Sequence, residues 1–461
     1  MNILINVYIG LSILSIVLLF VSTIMGIRRL VLMSAVSILI LMNNPHVSVI
    51  TEPLGLGAPI IFMSIVALCL VISFRMDLLI IPSYTVGISG IFLVLALACT
   101  VLSGLGSLDI LRTSKAVISL AFVIFLGWFI FGKIYYVNQD KSRRIIILVS
   151  DVVGFFSVLN VALVIVFAGP YVLRGEVGGY ESTISFLGMS VPRLQAEGFN
   201  ATGVGIASGI AILWLYSVYQ RNVYKPINKV LTLVLIAISF LGLIWSASRG
   251  AIITFFSTCI LLGMLRQLNY KNLTLYVIVV TFLTGVLLYL FINELPGIMY
   301  RGLDVDTGIS LIELFYSSRL KIIESSVYML LEPTLFGHGF GILSAGPSTN
   351  GHINIESFFF RIWVELGFVG SFVYIITFVL LTVYVIRADR YFFLRGEIGA
   401  FFPSSILLFT WINSPTSFGF SLPVGLLAIE LAIATGSLFI WRKVKRPLAC
   451  KIAPTSCGKM P

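Results

Sequence analysis

Residues 3–25 read ILINVYIGLSILSIVLLFVSTIM, an apolar run without a charged residue. A helix needs about 20 consecutive apolar residues to cross the hydrocarbon core of a bilayer, so this run is long enough to span a membrane. It is also about twice as long as the apolar region of a secretory signal, and no small-residue cleavage site is obvious. The run therefore predicts a retained transmembrane helix.

Similar apolar runs recur along the 461 residues, of which 59% are hydrophobic and 11% are charged. Soluble domains contain about 25% charged residues, and a soluble core cannot absorb so much apolar surface. We therefore predict an all-α polytopic membrane protein with about 12 transmembrane helices (11–13), in a single integral membrane domain over residues 1–461. The predicted spans are 3–26, 30–43, 57–74, 78–101, 116–136, 145–168, 204–220, 230–247, 251–265, 273–293, 357–386, 398–413 and 420–441.

Most lysines and arginines lie in alternate loops between these spans. The clusters are Arg28-Arg29, Lys141 with Arg143-Arg144, Arg221 with Lys225 and Lys229, Arg266 with Lys271, Arg387 with Arg390 and Arg395, and the tail 442–446. Cytoplasmic loops collect Lys and Arg, so this side is predicted to be cytoplasmic. The distribution explains the net charge of +11 without a nucleic-acid partner. The two longest loops, 169–203 and 294–356, then face outward, and the second precedes the last three helices.

Some basic residues are exceptions, because they fall on the side that this rule depletes. They include Arg193, Arg249, Arg301 and Arg319 with Lys321. A guanidinium is always charged and presents a planar fork of donors, which suits phosphate and pyrophosphate groups. If these arginines converge, they form a cradle for a lipid-linked pyrophosphate. The alternative is that each arginine pairs with a nearby carboxylate, such as Glu197, Asp304 or Glu324.

Arg249 lies in the tight junction SASRGA between two predicted spans, 230–247 and 251–265. A charge at a helix end reaches interfacial water, so its cost there is modest. Gly250 lets a ligand or another backbone approach closely. The alternative is an arginine that only snorkels to the membrane surface.

The end of the second outer loop and the start of the next predicted span read LFGHGFGILSAGPSTNGHINIESFFF, residues 335–360. His338, His352 and Glu356 are candidates for proton transfer. Either histidine could instead be satisfied by a backbone carbonyl, and Glu356 could simply favour the first turn of the following helix. In that helix, Arg361 and Glu365 are spaced i,i+4, which predicts an ion pair across one turn.

A metal site and a disulfide framework are not expected. The five cysteines form no C-x-x-C pair. Asp304-Val305-Asp306 has the D-x-D pattern of metal-dependent sugar transferases, but three residues are a weak signal, and a solvated turn is the preferred interpretation.

The order of these motifs resembles the O-antigen polymerase and ligase superfamily (the Wzy-C type). The matching residues are Ser248-Arg249-Gly250 between two helices, the stretch Gly337-His338-Gly339-Phe340-Gly341, and Glu365-Leu366-Gly367-Phe368-Val369-Gly370. RLQAEGFNATGVGIA (193–207) resembles a further family stretch that ends in an asparagine, here Asn200, and Arg319 matches the arginine before the glycine-rich stretch. The resemblance covers about residues 190–371.

One position separates the two branches of the family. Ligases typically place a histidine nine residues before the glutamate of E-L-G, and that position holds Glu356 here, whereas His352 lies four residues earlier. The resemblance therefore favours the polymerase branch.

The resemblance implies a GT-C-like membrane glycosyltransferase. It would join oligosaccharide repeats carried on undecaprenyl pyrophosphate, with its active face in the periplasm of a bacterial inner membrane and without a metal or other cofactor. Arg249, Arg319, Glu356 and His352 are then the expected catalytic residues. The expected substrate-binding residues are Arg193, Asn200, Arg301 and His338. Partners would be the lipid-linked donor and acceptor, membrane lipid, and a chain-length regulator protein as a candidate.

Two alternatives remain at this stage. One is an O-antigen ligase that transfers glycan to lipid A core. The other is a lipid-linked glycan flippase or transporter, which predicts charged residues within many helices. Asp151 and Glu430 are the main mid-helix charges, and both could be satisfied inside the bundle.

Overall fold

The structure is a computed structural model. It describes residues 2–42, 58–76, 87–107, 110–138, 141–173, 183–186, 189–194, 201–220, 226–246, 248–267, 335–340, 358–394, 402–413 and 427–440.

Helices account for most of the described residues. They are α1 (Asn2–Ile24), α2 (Arg28–Leu41), α3 (Ala58–Phe74), α4 (Ile88–Ser103), α5 (Ile110–Ile124), α6 (Phe131–Val137), α7 (Ser142–Leu163), α8 (Gly169–Leu173), α9 (Ala201–Gln220), α10 (Pro226–Ser246), α11 (Arg249–Gln267), α12 (Phe358–Leu394), α13 (Phe402–Asn413) and α14 (Leu427–Ile440). A π-helical segment, Phe125–Ile130, joins α5 to α6, and a second, Val164–Ala168, joins α7 to α8.

The fold class predicted from the sequence is confirmed. Within the described residues, six helices are long and apolar enough to cross a membrane, and four shorter helices are also apolar. The protein is therefore an all-α polytopic membrane protein. The predicted count of about 12 spans includes 273–293, which lies outside the described residues.

The helices on both sides of the first predicted outer loop reach further into it than expected. The helix predicted at 145–168 continues to Leu173, and the next begins at Ala201. Between them lies a short antiparallel hairpin that the apolar runs did not predict, formed by β1 (Thr183–Phe186) and β2 (Met189–Pro192). Its register pairs Thr183 with Pro192 and Phe186 with Met189.

Helix α9 lies at the centre of the second half of the bundle. It packs against α7, α10, α11 and α13. It can approach these neighbours closely because small residues face them: at Gly209, an added Cβ atom would lie 2.5 Å from the Phe409 ring. Small residues at helix contacts are typical of membrane bundles, where packing rather than water exclusion holds helices together.

The two mid-helix carboxylates are hydrogen-bonded inside the bundle, as the sequence allowed. The indole nitrogen of Trp214 donates to Asp151 Oδ1 at 2.9 Å, and the Thr410 hydroxyl donates to Glu430 Oε1 at 2.9 Å. Both bonds join two helices, α7 to α9 and α13 to α14. These carboxylates therefore have a structural partner within the bundle.

A tight backbone contact between the first π-helical segment and α14 provides a test of this packing. A Cβ atom on Gly127 would lie 2.5 Å from the carbonyl oxygen of Ala428. We expect Gly127→Ala to destabilise the protein by about 1–3 kcal/mol, because overpacking displaces backbone atoms. Gly263→Ala in α11 is the control, since a Cβ there meets nothing within 4 Å. Thermal unfolding of the purified variants checks this; equal melting temperatures would contradict the contact.

Candidate active site

Three of the eight predicted site residues lie in the part of the chain that the structure describes. The structure describes the side chains of Arg193 and His338, and it places Arg249 as the first residue of α11. The other predicted site residues lie outside the described ranges: Asn200, Arg301, Arg319, His352 and Glu356. Their assignment to the site remains a prediction from the sequence.

Two serines build the turn that precedes Arg249. The backbone N–H of Ser248 donates to Ser246 Oγ at 3.3 Å, and the Ser246 hydroxyl donates to the Leu243 carbonyl at 2.8 Å. Ser248 Oγ then accepts the N–H of Ala251 at 3.4 Å, three residues into the next helix. This is the N-cap arrangement that serine favours. The serines therefore end α10 and start α11 within a tight junction, as the sequence predicted.

Arg193 lies against the end of α10. Its Nε donates to the carbonyl of Ser246 at 2.9 Å, and the N–H of Leu194 donates to the carbonyl of Trp245 at 3.0 Å. Arg193 is only 8% exposed. The last carbonyls of a helix lack partners within the helix, so these two donors satisfy groups that would otherwise be unpaired. The structure thus brings Arg193 to the turn that leads into Arg249.

Helix α9 closes the other side of this turn. A Cβ atom on Gly205 would lie 2.8 Å from both Ser246 Oγ and Ala251 Cβ. Ser246 and Ser248 are buried, at 0% and 2% exposure. The turn is therefore held between α9 and the segment that follows the β-hairpin.

A second part of the candidate site forms where α12 breaks at Gly367. This residue has φ 67° and ψ −171°, which interrupts the helix. The break leaves carbonyl groups of the preceding turn without partners in the helix, and backbone N–H groups of residues 335–340 donate hydrogen bonds to them. His338 N–H donates to the Val364 carbonyl at 3.0 Å, Gly339 N–H donates to the Glu365 carbonyl at 3.2 Å, and Val369 N–H donates to the Leu335 carbonyl at 3.4 Å. We call residues 335–340 the docked segment.

The docked segment needs glycine where it meets the broken helix. Gly337 has φ +76°, a conformation that side chains disfavour, and an added Cβ would overlap the Glu365 carbonyl. On its other side, Phe340 N–H donates to Ser103 Oγ at 3.1 Å. The glycine-rich stretch and the E-L-G motif are thus one structural unit, tied to the end of α4.

The predicted ion pair between Arg361 and Glu365 is confirmed. Arg361 Nε lies 3.0 Å from Glu365 Oε1, and the two side chains are 9% and 1% exposed. A buried carboxylate needs such a partner, because losing its hydration is costly. The pair lies in the turn of α12 whose carbonyls hold the docked segment.

Of the three candidates for proton transfer, His338 is the one that lies in the described residues. Its backbone N–H is used by the Val364 carbonyl. Its Nε2 is buried and has no hydrogen-bond partner among the described residues. A backbone carbonyl from that part of the chain therefore does not satisfy this nitrogen.

Metal ligands do not cluster in the described ranges. These ranges contain no group of three or more His, Cys, Asp or Glu side chains able to hold a metal ion. Cys69, Cys99 and Cys259 are free thiols there. Asp304 and Asp306 lie outside the described residues.

The described residues define a class: a polytopic helical membrane protein. Residues 231–375 match a family model, Wzy_C, described as O-Antigen ligase. The matched segment contains the serine turn, Arg249, the docked segment and the break at Gly367. It supports the O-antigen polymerase and ligase superfamily, as predicted from the motifs, and does not distinguish the two branches. A search of curated proteins found no match.

The docked segment can be tested by adding a methyl group. We expect Gly337→Ala to release residues 335–340 from α12, because the new Cβ overlaps the Glu365 carbonyl. Gly10→Ala in α1 is the control, since a Cβ there meets nothing within 4 Å. Limited proteolysis of purified protein should cut the Gly337→Ala variant near this segment faster than the wild type. Identical cleavage would show that the segment is not held there.

The buried ion pair predicts unequal effects of single and double substitutions. Arg361→Met leaves the Glu365 carboxylate buried without its arginine, and loss of one partner of a buried pair costs about 3–5 kcal/mol. Arg361→Met combined with Glu365→Leu removes both charges, so its melting temperature should lie above that of either single variant. A double variant that melts below both single variants would contradict this account.

Proposed function

We propose that this protein is a GT-C-like membrane glycosyltransferase that polymerises oligosaccharide repeats carried on undecaprenyl pyrophosphate into O-antigen or a related surface polysaccharide. The observation that carries the proposal is the serine turn. It fixes Arg249 at the first position of α11, on the predicted outer side and inside the segment that matches the family model.

The proposed reaction transfers a glycan from one lipid carrier to another sugar chain. A hydroxyl of the acceptor repeat attacks the anomeric carbon of the donor and forms the new glycosidic bond. The bond between this carbon and the pyrophosphate oxygen breaks, and undecaprenyl pyrophosphate leaves with the electron pair. The acceptor hydroxyl gives its proton to a base, and the base then releases this proton to water. The donor is already activated, so no nucleotide is consumed.

The arginines would act on the leaving group. Negative charge grows on the pyrophosphate as its bond to the sugar breaks. Fixed donors aimed at developing charge lower the barrier, and removing one such donor costs about 2.7–4 kcal/mol in well-studied enzymes. We assign this role to Arg249 and Arg319. Arg301 and Asn200 complete the proposed set that holds the substrate, together with His338.

Glu356 is the proposed general base and His352 the second candidate. Glu356 comes two residues before the first residue of α12, Phe358. A positioned base contributes about 10²–10⁴-fold to such reactions.

The ligase is the second candidate function, because the matching family model is described as O-Antigen ligase. It would use the same donor and the same arginines, with lipid A core as the acceptor. A flippase is disfavoured because the two main mid-helix carboxylates, Asp151 and Glu430, both accept hydrogen bonds from neighbouring helices. A transport pathway would expose such groups to a polar cavity.

Replacement of Arg249 tests the proposal in the bacterial host. In a strain that lacks the wild-type gene, we expect Arg249→Ala and Arg319→Ala to abolish the long-chain polysaccharide ladder and leave single repeats attached to core. Arg29→Ala is the matched control, because Arg29 is exposed on the predicted cytoplasmic side and should leave the ladder intact.

The gel pattern also separates the candidate functions. Long chains retained on the carrier lipid, with none attached to core, would indicate a ligase. An unchanged ladder in Arg249→Ala, with normal protein levels, would overturn the role proposed for this arginine.

A further inference from the structure

We propose that Arg193 is a positioning residue for Arg249: it caps the end of α10 and so fixes the turn from which α11 starts. This inference rests on the proposed function, in which Arg249 contacts the pyrophosphate. It replaces direct substrate contact, which the sequence predicted for Arg193, with a role inside the protein.

The first step is the capping of α10. The carbonyl groups of Trp245 and Ser246 belong to the last turn, which has no following turn to supply donors. Leu194 N–H and Arg193 Nε supply them, at 3.0 and 2.9 Å. A guanidinium is favourable at this place, because the helix dipole leaves partial negative charge on the last carbonyls.

The second step is the short connection from this cap to Arg249. Arg249 comes three positions after Ser246, and consecutive Cα atoms lie about 3.8 Å apart, so their Cα atoms lie within about 11 Å of each other. Ser246 also accepts the Ser248 N–H through its side chain, and Ser248 caps α11. A shift of the Ser246 carbonyl therefore passes directly to the first residue of α11.

The third step is the burial of Arg193. The side chain is 8% exposed, and its Nε is already engaged by a backbone carbonyl. A bulky lipid-linked glycan cannot reach a side chain that is covered to this extent without displacing the surrounding segment. Gly205 of α9 presses on the same turn from another direction, so the turn has little room to adjust if the Arg193 cap is lost.

The side chain of glutamine offers a sharp test, because its amide nitrogen occupies the same place along the chain as Arg Nε. Arg193→Gln therefore keeps a donor for the Ser246 carbonyl and removes the positive charge. A positioning role predicts that Arg193→Gln binds undecaprenyl pyrophosphate with nearly wild-type affinity, whereas Arg193→Ala binds it more weakly. Direct contact with the diphosphate predicts that both variants lose affinity alike.

The experiment measures the Kd of undecaprenyl pyrophosphate for purified protein in lipid nanodiscs. We expect Arg249→Ala to weaken binding about 10- to 100-fold, the loss of one charge-assisted hydrogen bond. The double variant Arg193→Ala/Arg249→Ala should match Arg249→Ala within about twofold, because both substitutions act through the same contact.

The outcomes separate the inference from the proposed function. Losses that multiply in the double variant, an unchanged Kd for Arg193→Ala, or a loss of affinity in Arg193→Gln would each overturn the positioning role. An unchanged Kd for Arg249→Ala would instead overturn the assignment of Arg249 to the diphosphate. If Arg193→Ala does not fold, Arg193→Gln alone and combined with Arg249→Ala decides the question in the same way.

Discussion

A helix that stops or breaks inside a protein must give its unpaired backbone groups another partner, because groups that are buried away from water cannot be left without a hydrogen bond. This constraint explains both parts of the candidate site. At the end of α10, Arg193 and Leu194 supply donors to the last carbonyls. At the break in α12, residues 335–340 donate hydrogen bonds to two carbonyls before Gly367 and accept one from the N–H of Val369 after it. Each interruption of a helix therefore fixes a segment from a distant part of the chain.

The features that depend on near neighbours in the chain could be predicted. Apolar runs gave the helices, most of them within a few residues of the observed ends. The pairing of Arg361 with Glu365 follows from i,i+4 spacing alone, and the pair is present. The junction at Ser248-Arg249-Gly250 was also expected, since two apolar spans meet there with almost no connecting residues.

The features that depend on distant contacts could not be predicted in the same way. Gly337 and Gly367 each lie in a recognisable motif, but neither motif predicts that the segment around Gly337 packs against the helix break at Gly367. The sequence predicted an outward position for Arg193. It could not predict its partner, because that partner is a backbone carbonyl, and every residue has one. The π-helical segments and the β-hairpin have no clear periodic signal, because tertiary packing decides them.

The capped turn before α11 and the docked segment on α12 explain how backbone hydrogen bonds give the candidate site a defined geometry. In the sequence, the docked segment lies between the stretch that contains Arg319 and the stretch that contains Glu356, and its backbone contacts fix residues 335–340 on α12. The capped turn fixes the start of α11. In this account, glycines and backbone hydrogen bonds set the positions, and a few arginines supply the charge. That division explains why the sequence joins charged residues to glycine-rich motifs on the predicted outer side.

The central claim is that guanidinium groups from separate stretches of the chain grip one diphosphate. The most direct measurement is a cryo-electron microscopy structure of the protein in nanodiscs with undecaprenyl pyrophosphate bound. The account predicts that guanidinium nitrogens of Arg249 and Arg319 lie about 3 Å from phosphate oxygens. A diphosphate bound elsewhere on the bundle, with these two arginines turned toward lipid or paired with protein carboxylates, would contradict it.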